Sequence, residues 1–224
     1  MLYMLDTADL DMIRHCNEFY PVAGVTTNPT IIAKQKTDFW FLVERIRSII
    51  GPDKMLHVQT TQKTAEDIVA EATLLNSRLG GDFYIKIPIC EEGLKATMML
   101  KEIDIPVTMT AIFTPAQALI AAKAGAAFVA PYVNRLDNIL GDGVSVVEET
   151  VQIFKTYGLD TKVLAASFKT AEQVHKCALV GCHSVTVTGD IMHTLISHPM
   201  VDTALANFDK DWKGVYGDKR ILDF

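Results

Sequence analysis

Short apolar runs alternate with amphipathic stretches from one end of the chain to the other. The apolar runs at 2–6, 22–26, 55–60, 83–88, 107–111, 128–132, 162–166 and 184–188 predict strands, each followed by a helix. The spacing over 64–79 is clear: Ala65, Ile68, Val69, Ala72, Leu75 and Leu79 make one apolar stripe, while Glu66, Asp67, Glu71 and Arg78 fall largely elsewhere. Helix starts are marked by Thr114-Pro115-Ala116-Gln117, with threonine cap, proline and capping-box glutamine, and by Thr170-Ala171-Glu172-Gln173. Gly125 and Gly181 stand where helices should stop before the next strand.

A strand–helix unit recurs roughly every 20–35 residues, about eight times, which is the unit size of a (β/α)8 barrel. A doubly wound open sheet would alternate in the same way. Two observations favour the barrel. No Gly-x-Gly-x-x-Gly follows the first strand. Polar residues also gather at the C-terminal end of nearly every strand, where barrel active sites form. The expected fold is a single-domain α/β TIM barrel over 1–224, with 198–224 as a C-terminal helix and tail. The aromatics of that last stretch need a surface to cover, on the barrel or on a neighbouring subunit. The longest polar connection, 134–143, follows the sixth strand.

Composition narrows the class. Of 224 residues, 49% are hydrophobic and 21% charged, an ordinary globular balance. A net charge of −6 argues against a nucleic-acid surface, though not against a local phosphate site. No basic leader and no apolar run of membrane-spanning length is present, so a cytoplasmic protein is expected. Cys16, Cys90, Cys177 and Cys182 contain no C-x-x-C and match no zinc spacing, even with His175 and His183 nearby. Reduced thiols and no metal are expected.

Lys86 changes the picture most. It interrupts Phe83-Tyr84-Ile85-Lys86-Ile87-Pro88-Ile89, which otherwise reads as a strand buried on both faces. Burial disfavours an ammonium and leaves an amine able to attack carbonyls, so Lys86 is a Schiff-base candidate. The competing explanations are an edge lysine that snorkels out or a buried ion pair.

The other strand ends carry Asp6, Thr26-Thr27-Asn28-Pro29, Gln59, Thr108 and Thr110, Tyr132 with Asn134 and Arg135, Ser167 with Lys169, and Thr188. Each has a plain alternative: Asp6 as a helix cap, Asn28-Pro29 as a turn opener, Arg135 and Lys169 as solvated loop charges. A closed barrel would bring them all around Lys86. The chemistry then follows from residue type. A neutral Lys86 condenses with a ketone, and the iminium lets the neighbouring C–C bond break. Asp6 or Tyr132 takes the proton of the departing hydroxyl. Gln59, Thr110 and Tyr132 suit an ordered water. Thr26, Asn28 and Ser167 suit the substrate hydroxyls, and Arg135 and Lys169 a phosphate.

Leu5-Asp6-Thr7, Gly24-Val25-Thr26-Thr27-Asn28-Pro29, Lys86-Ile87-Pro88, Ala130-Pro131-Tyr132-Val133-Asn134-Arg135 and Ala165-Ala166-Ser167-Phe168-Lys169 together resemble the short transaldolase family. The resemblance implies a class I aldolase barrel with its Schiff-base lysine on strand four, without metal or cofactor, acting on a small phosphorylated sugar. It further implies a ring-shaped homo-oligomer, pentamer or decamer, whose C-terminal helix packs on a neighbour. The family divides into transaldolases, which usually carry glutamate and phenylalanine at the positions of Gln59 and Tyr132, and fructose-6-phosphate aldolases, which this chain resembles at both. It departs from the pattern at Thr188-Gly189-Asp190, where a more apolar stretch is usual. The expected reaction is cleavage or formation of fructose 6-phosphate from dihydroxyacetone and glyceraldehyde 3-phosphate. The alternatives are transfer of the same three-carbon unit to erythrose 4-phosphate, a pyridoxal-phosphate enzyme anchored on Lys86, and a phosphate-binding barrel without catalysis.

Overall fold

All eight predicted apolar runs form strands in a computed structural model that describes residues 1–224. They are β1 (Leu2–Asp6), β2 (Val22–Thr26), β3 (Met55–Gln59), β4 (Phe83–Pro88), β5 (Val107–Ile112), β6 (Phe128–Pro131), β7 (Lys162–Ala165) and β8 (Ser184–Val187). Each pairs in parallel with its neighbour in chain order, and β8 pairs back onto β1, closing a barrel. α1 (Leu10–Phe19) follows β1, and α2 (Pro29–Lys34) and α3 (Phe39–Ile50) follow β2. α4 (Ala65–Leu79), α5 (Glu91–Lys101) and α6 (Pro115–Lys123) follow β3, β4 and β5. α7 (Val133–Asp137) and α8 (Gly143–Tyr157) follow β6, and α9 (Ala171–Leu179) follows β7. After β8 come α10 (Gly189–Thr194) and α11 (Pro199–Tyr216). The alternation therefore makes a (β/α)8 barrel and not an open sheet. No helix is long and apolar enough to cross a membrane.

The strand alternation divides the core in two. Outward residues such as Leu5, Val25, Val58, Ile85 and Ile87 join Ile68, Leu75 and other helix residues in a continuous shell between barrel and helices. Inward, Met4, Met55, Phe128 and Leu164 plug the lower barrel, with Tyr84 packed against them. Above that plug the inward positions turn polar. Gly24 is needed where β2 meets β3, because a Cβ there would stand 2.3 Å from the Met55 carbonyl oxygen.

The helix starts follow their local chemistry. Thr114 and Thr170 make full capping boxes with Gln117 and Gln173, and Thr64 caps α4. Predicted and observed strands differ only at their C-terminal ends. Tyr132 and Ala166 lie just beyond β6 and β7 and share an isolated bridge. β5 runs on to Ile112 because its pairing with β6 slips between Met109 and Ile112, with Ala111 at φ 58°. Such a bulge re-aims side chains at a barrel rim.

The polar connection at 134–143 is not an open loop. It contains α7, and its polar groups tie helices together: the Gly143 N–H donates to Asp137 Oδ1 (2.9 Å) and Gln173 Nε2 donates to Asp137 Oδ2 (2.6 Å). α11 forms as expected through Phe208 and Trp212 but has no buried residue. The tail folds back on it, with the Trp212 indole N–H 2.7 Å from the Lys219 carbonyl oxygen and Phe224 edge-on to Tyr216. Met200, Leu205, Phe208 and Val215 remain exposed, so this chain's own barrel does not cover the aromatic face.

Candidate active site

The C-terminal ends of the strands surround a polar cavity of about 420 Å³. Asp6, Asn28, Lys86, Tyr132, Arg135, Ser167 and Lys169 line it, joined by Thr186 from β8 and Thr188 just beyond it. These residues come from six strand ends, which is what barrel closure does to positions far apart in sequence.

Lys86 is 4% exposed on β4. It neither snorkels nor forms an ion pair; its Nζ donates to the carbonyl oxygen of Thr27 at 2.9 Å. Burial pushes the Lys86 ammonium below the usual lysine range, and the Asp6 carboxylate partly opposes that. The effect of burial is the larger of the two.

Asp6 does not cap a helix, a role taken by Asp9. Instead it accepts a 2.8 Å hydrogen bond from the Thr26 hydroxyl, which also lies 2.7 Å from the Thr186 hydroxyl. Thr26 is fully buried beneath this contact and does not line the cavity. Its position suits orientation of Asp6 better than contact with a substrate. Asn28 caps α2 and also borders the cavity. Its Oδ1 accepts from the Ile31 N–H at the start of that helix.

Tyr132 and Thr110 share a hydrogen bond of 3.1 Å. Thr110 sits in the β5 bulge, behind Tyr132 and off the cavity wall. Gln59 is level with Lys86 on the adjacent strand, yet it borders a smaller side cavity of about 160 Å³ with Thr27, Asn28 and Phe39. Ser167 adopts φ 63°, and its carbonyl oxygen accepts from the Asn134 N–H at 2.8 Å. Two non-glycine residues with positive φ, Ala111 and Ser167, thus stand at the rim, where backbone strain gathers at working sites.

The rim is cationic. Arg135, carried by α7, lies 4.6 Å over the Tyr132 ring, and Lys169 follows β7. Neither has a carboxylate partner, since every ion pair in the chain lies elsewhere on the surface.

Sequence reasoning missed four participants. Lys34 at the end of α2 adds a third free cation to the cavity wall; a lysine on a short helix carries no signal that separates it from a solvated one. Thr186 is inward on β8, and the alternation Ser184-Thr186-Thr188 could have shown it. Thr27 was read only as part of its motif. His57, fully buried, pairs its Nδ1 with the Thr108 hydroxyl at 2.9 Å and stacks on Tyr84 at 4.5 Å. Burial, then the nearby Lys86 charge, pushes its imidazole well below the usual histidine range, so it is neutral.

A buried lysine facing a polar, cation-rimmed cavity at the C-terminal mouth of a closed (β/α)8 barrel defines the class as a lysine-centred barrel enzyme. The family described as Transaldolase/Fructose-6-phosphate aldolase matches residues 3–219, and the chain belongs to that family. Among solved structures, a mutant flavocytochrome b2 with benzoylformate superposes with a TM-score of 0.63 at 14% sequence identity, over 84% of this chain and 57% of that one. The present chain therefore spans little more than half the length of that protein, and the likeness concerns the barrel alone.

Proposed function

We propose that the protein is a class I aldolase that cleaves and forms fructose 6-phosphate from dihydroxyacetone and glyceraldehyde 3-phosphate. The observation that carries the reading is Lys86, buried, pushed down in pKa by that burial, and part of the cavity wall. The amine adds to the ketone carbon of the substrate, and loss of water gives an iminium. Asp6 accepts the proton of the C4 hydroxyl as the C3–C4 bond breaks, and the aldehyde leaves. The bonding electrons move into the enamine, neutralising the nitrogen. The Tyr132 hydroxyl, backed by Thr110, delivers a proton to the enamine carbon directly or through a water that Gln59 helps to order. Hydrolysis of the new iminium releases dihydroxyacetone and restores Lys86, and the proton that Asp6 took returns through water to Tyr132. Asn28 and Ser167 hold substrate hydroxyls, and Arg135 and Lys169 take the phosphate.

The family match spans two activities, so transaldolase is the second reading. Tyr132 favours the aldolase, because a proton donor beside the enamine discharges the three-carbon unit before an acceptor arrives. The reading also includes a homo-oligomer, pentamer or decamer; the uncovered apolar face of α11 supports it. The test is to feed fructose 6-phosphate with and without erythrose 4-phosphate. An aldolase releases free dihydroxyacetone at full rate without acceptor. Strict dependence on the acceptor would make the protein a transaldolase.

A further inference from the structure

The only hydrogen bond of the Lys86 amine goes to the main-chain carbonyl of Thr27, 2.9 Å away. That carbonyl is unusually well anchored. Thr27 is fully buried, and both its N–H (2.9 Å) and its hydroxyl (3.1 Å) donate to the carbonyl oxygen of His57. His57 is fixed in turn. Its ring pairs with the Thr108 hydroxyl at 2.9 Å, and Thr108 is the register partner of Lys86 on β5. The ring also stacks on Tyr84 and meets Phe128 edge-on at 5.5 Å. One residue of β3 therefore ties together the acceptor of the Lys86 amine and the strand flanking Lys86 on its other side.

We propose that Thr27, anchored through its hydroxyl on His57, is a positioning residue that aims the Lys86 amine at the substrate ketone. This role rests on the Schiff-base reading above. An amine with one N–H committed to the Thr27 carbonyl has its lone pair in a defined direction, and nucleophilic addition depends steeply on that direction. The neutral His57 ring suits the task, because a second cation beside the iminium would oppose its formation.

The test compares Thr27→Val with Thr27→Ser in the full-length protein. Valine keeps the shape and loses the hydroxyl, so the carbonyl keeps one anchor of its two; serine keeps the hydroxyl. Thr27→Val should lower kcat and the rate of borohydride trapping by on the order of 10- to 100-fold with little change in KM. The ascending limb of the pH profile of kcat/KM should move to lower pH, because an ammonium whose acceptor is held less firmly in place loses its proton more readily. The groups facing Lys86 that could also shape this limb are Asp6 from β1, His57 from β3 and Tyr132 beyond β6, with Lys34, Arg135 and Lys169 at the rim. None of them is altered. Thr27→Ser should restore the rate and the limb. Equal losses in both variants with an unmoved limb would reduce Thr27 to packing, and a fully active Thr27→Val would overturn the proposal outright. If the valine variant does not fold, Thr27→Ala is read in the same way. Wild-type protein that traps no adduct would instead overturn the Schiff-base reading itself.

Discussion

The Tyr132 hydroxyl lies 3.1 Å from that of Thr110, a hydrogen bond made possible by the bulge at the end of β5. It fixes a proton donor on the wall of the cavity that Lys86 faces. Tyr132→Phe removes that donor and leaves the ring, including its stacking beneath Arg135. Release of free dihydroxyacetone should fall on the order of 10²-fold, the usual worth of a positioned acid or base. Transfer to an added aldose should fall less. Gln59→Glu should push the ratio in the same direction. An unchanged release-to-transfer ratio in Tyr132→Phe would remove the tyrosine from the chemistry that separates the two activities.

Arg135 and Lys169 hold the rim without ion-pair partners, so their charge is available to a ligand. Arg135→Ala should cost about 1.5–3 kcal/mol, expressed as a higher KM for fructose 6-phosphate. Condensation of dihydroxyacetone with an unphosphorylated aldehyde should be nearly unaffected. Equal losses with both aldehydes would place the phosphate elsewhere, with Lys34 the next cation to examine.

Much of this arrangement was legible in the sequence because it rests on local rules. The alternation of β4 makes Lys86 inward as surely as it makes Ile85 and Ile87 outward. The boxes at Thr114 and Thr170 depend on side chains three residues away and formed as expected. What escaped depends on closure. Nothing near Thr26 in the chain says that its hydroxyl will be consumed by Asp6 and Thr186. Nothing near Gln59 says that it will border a side cavity beside the main one. The polar run at 134–143 reads in the sequence only as a connection, because one partner of Asp137, Gln173, lies 36 residues on in α9.

Lys86 should cost the protein stability. An unfolded lysine keeps its proton to a higher pH than Lys86 does in the barrel. Between those two pH values the unfolded chain binds more protons, so stability rises with pH across that window, and below it the full penalty applies. Lys86→Met should therefore be inactive yet more stable. A gain of about 1 kcal/mol would raise Tm by about 2–4 °C for a chain of this size. The gain should be largest at neutral and lower pH and shrink as the pH climbs toward the range of a free lysine. Thermal melts of both proteins across pH test this; a variant less stable than wild type at neutral pH would mean that the Thr27 hydrogen bond outweighs the burial of the charge.

The most direct measurement is covalent. The protein is incubated with fructose 6-phosphate, reduced with borohydride, digested and mapped by mass. The account predicts a single reduced adduct on the peptide containing Lys86, and none in Lys86→Arg, which keeps a positive charge but cannot form an imine. An adduct at Lys95 or Lys169, or equal labelling of wild type and Lys86→Arg, would contradict it.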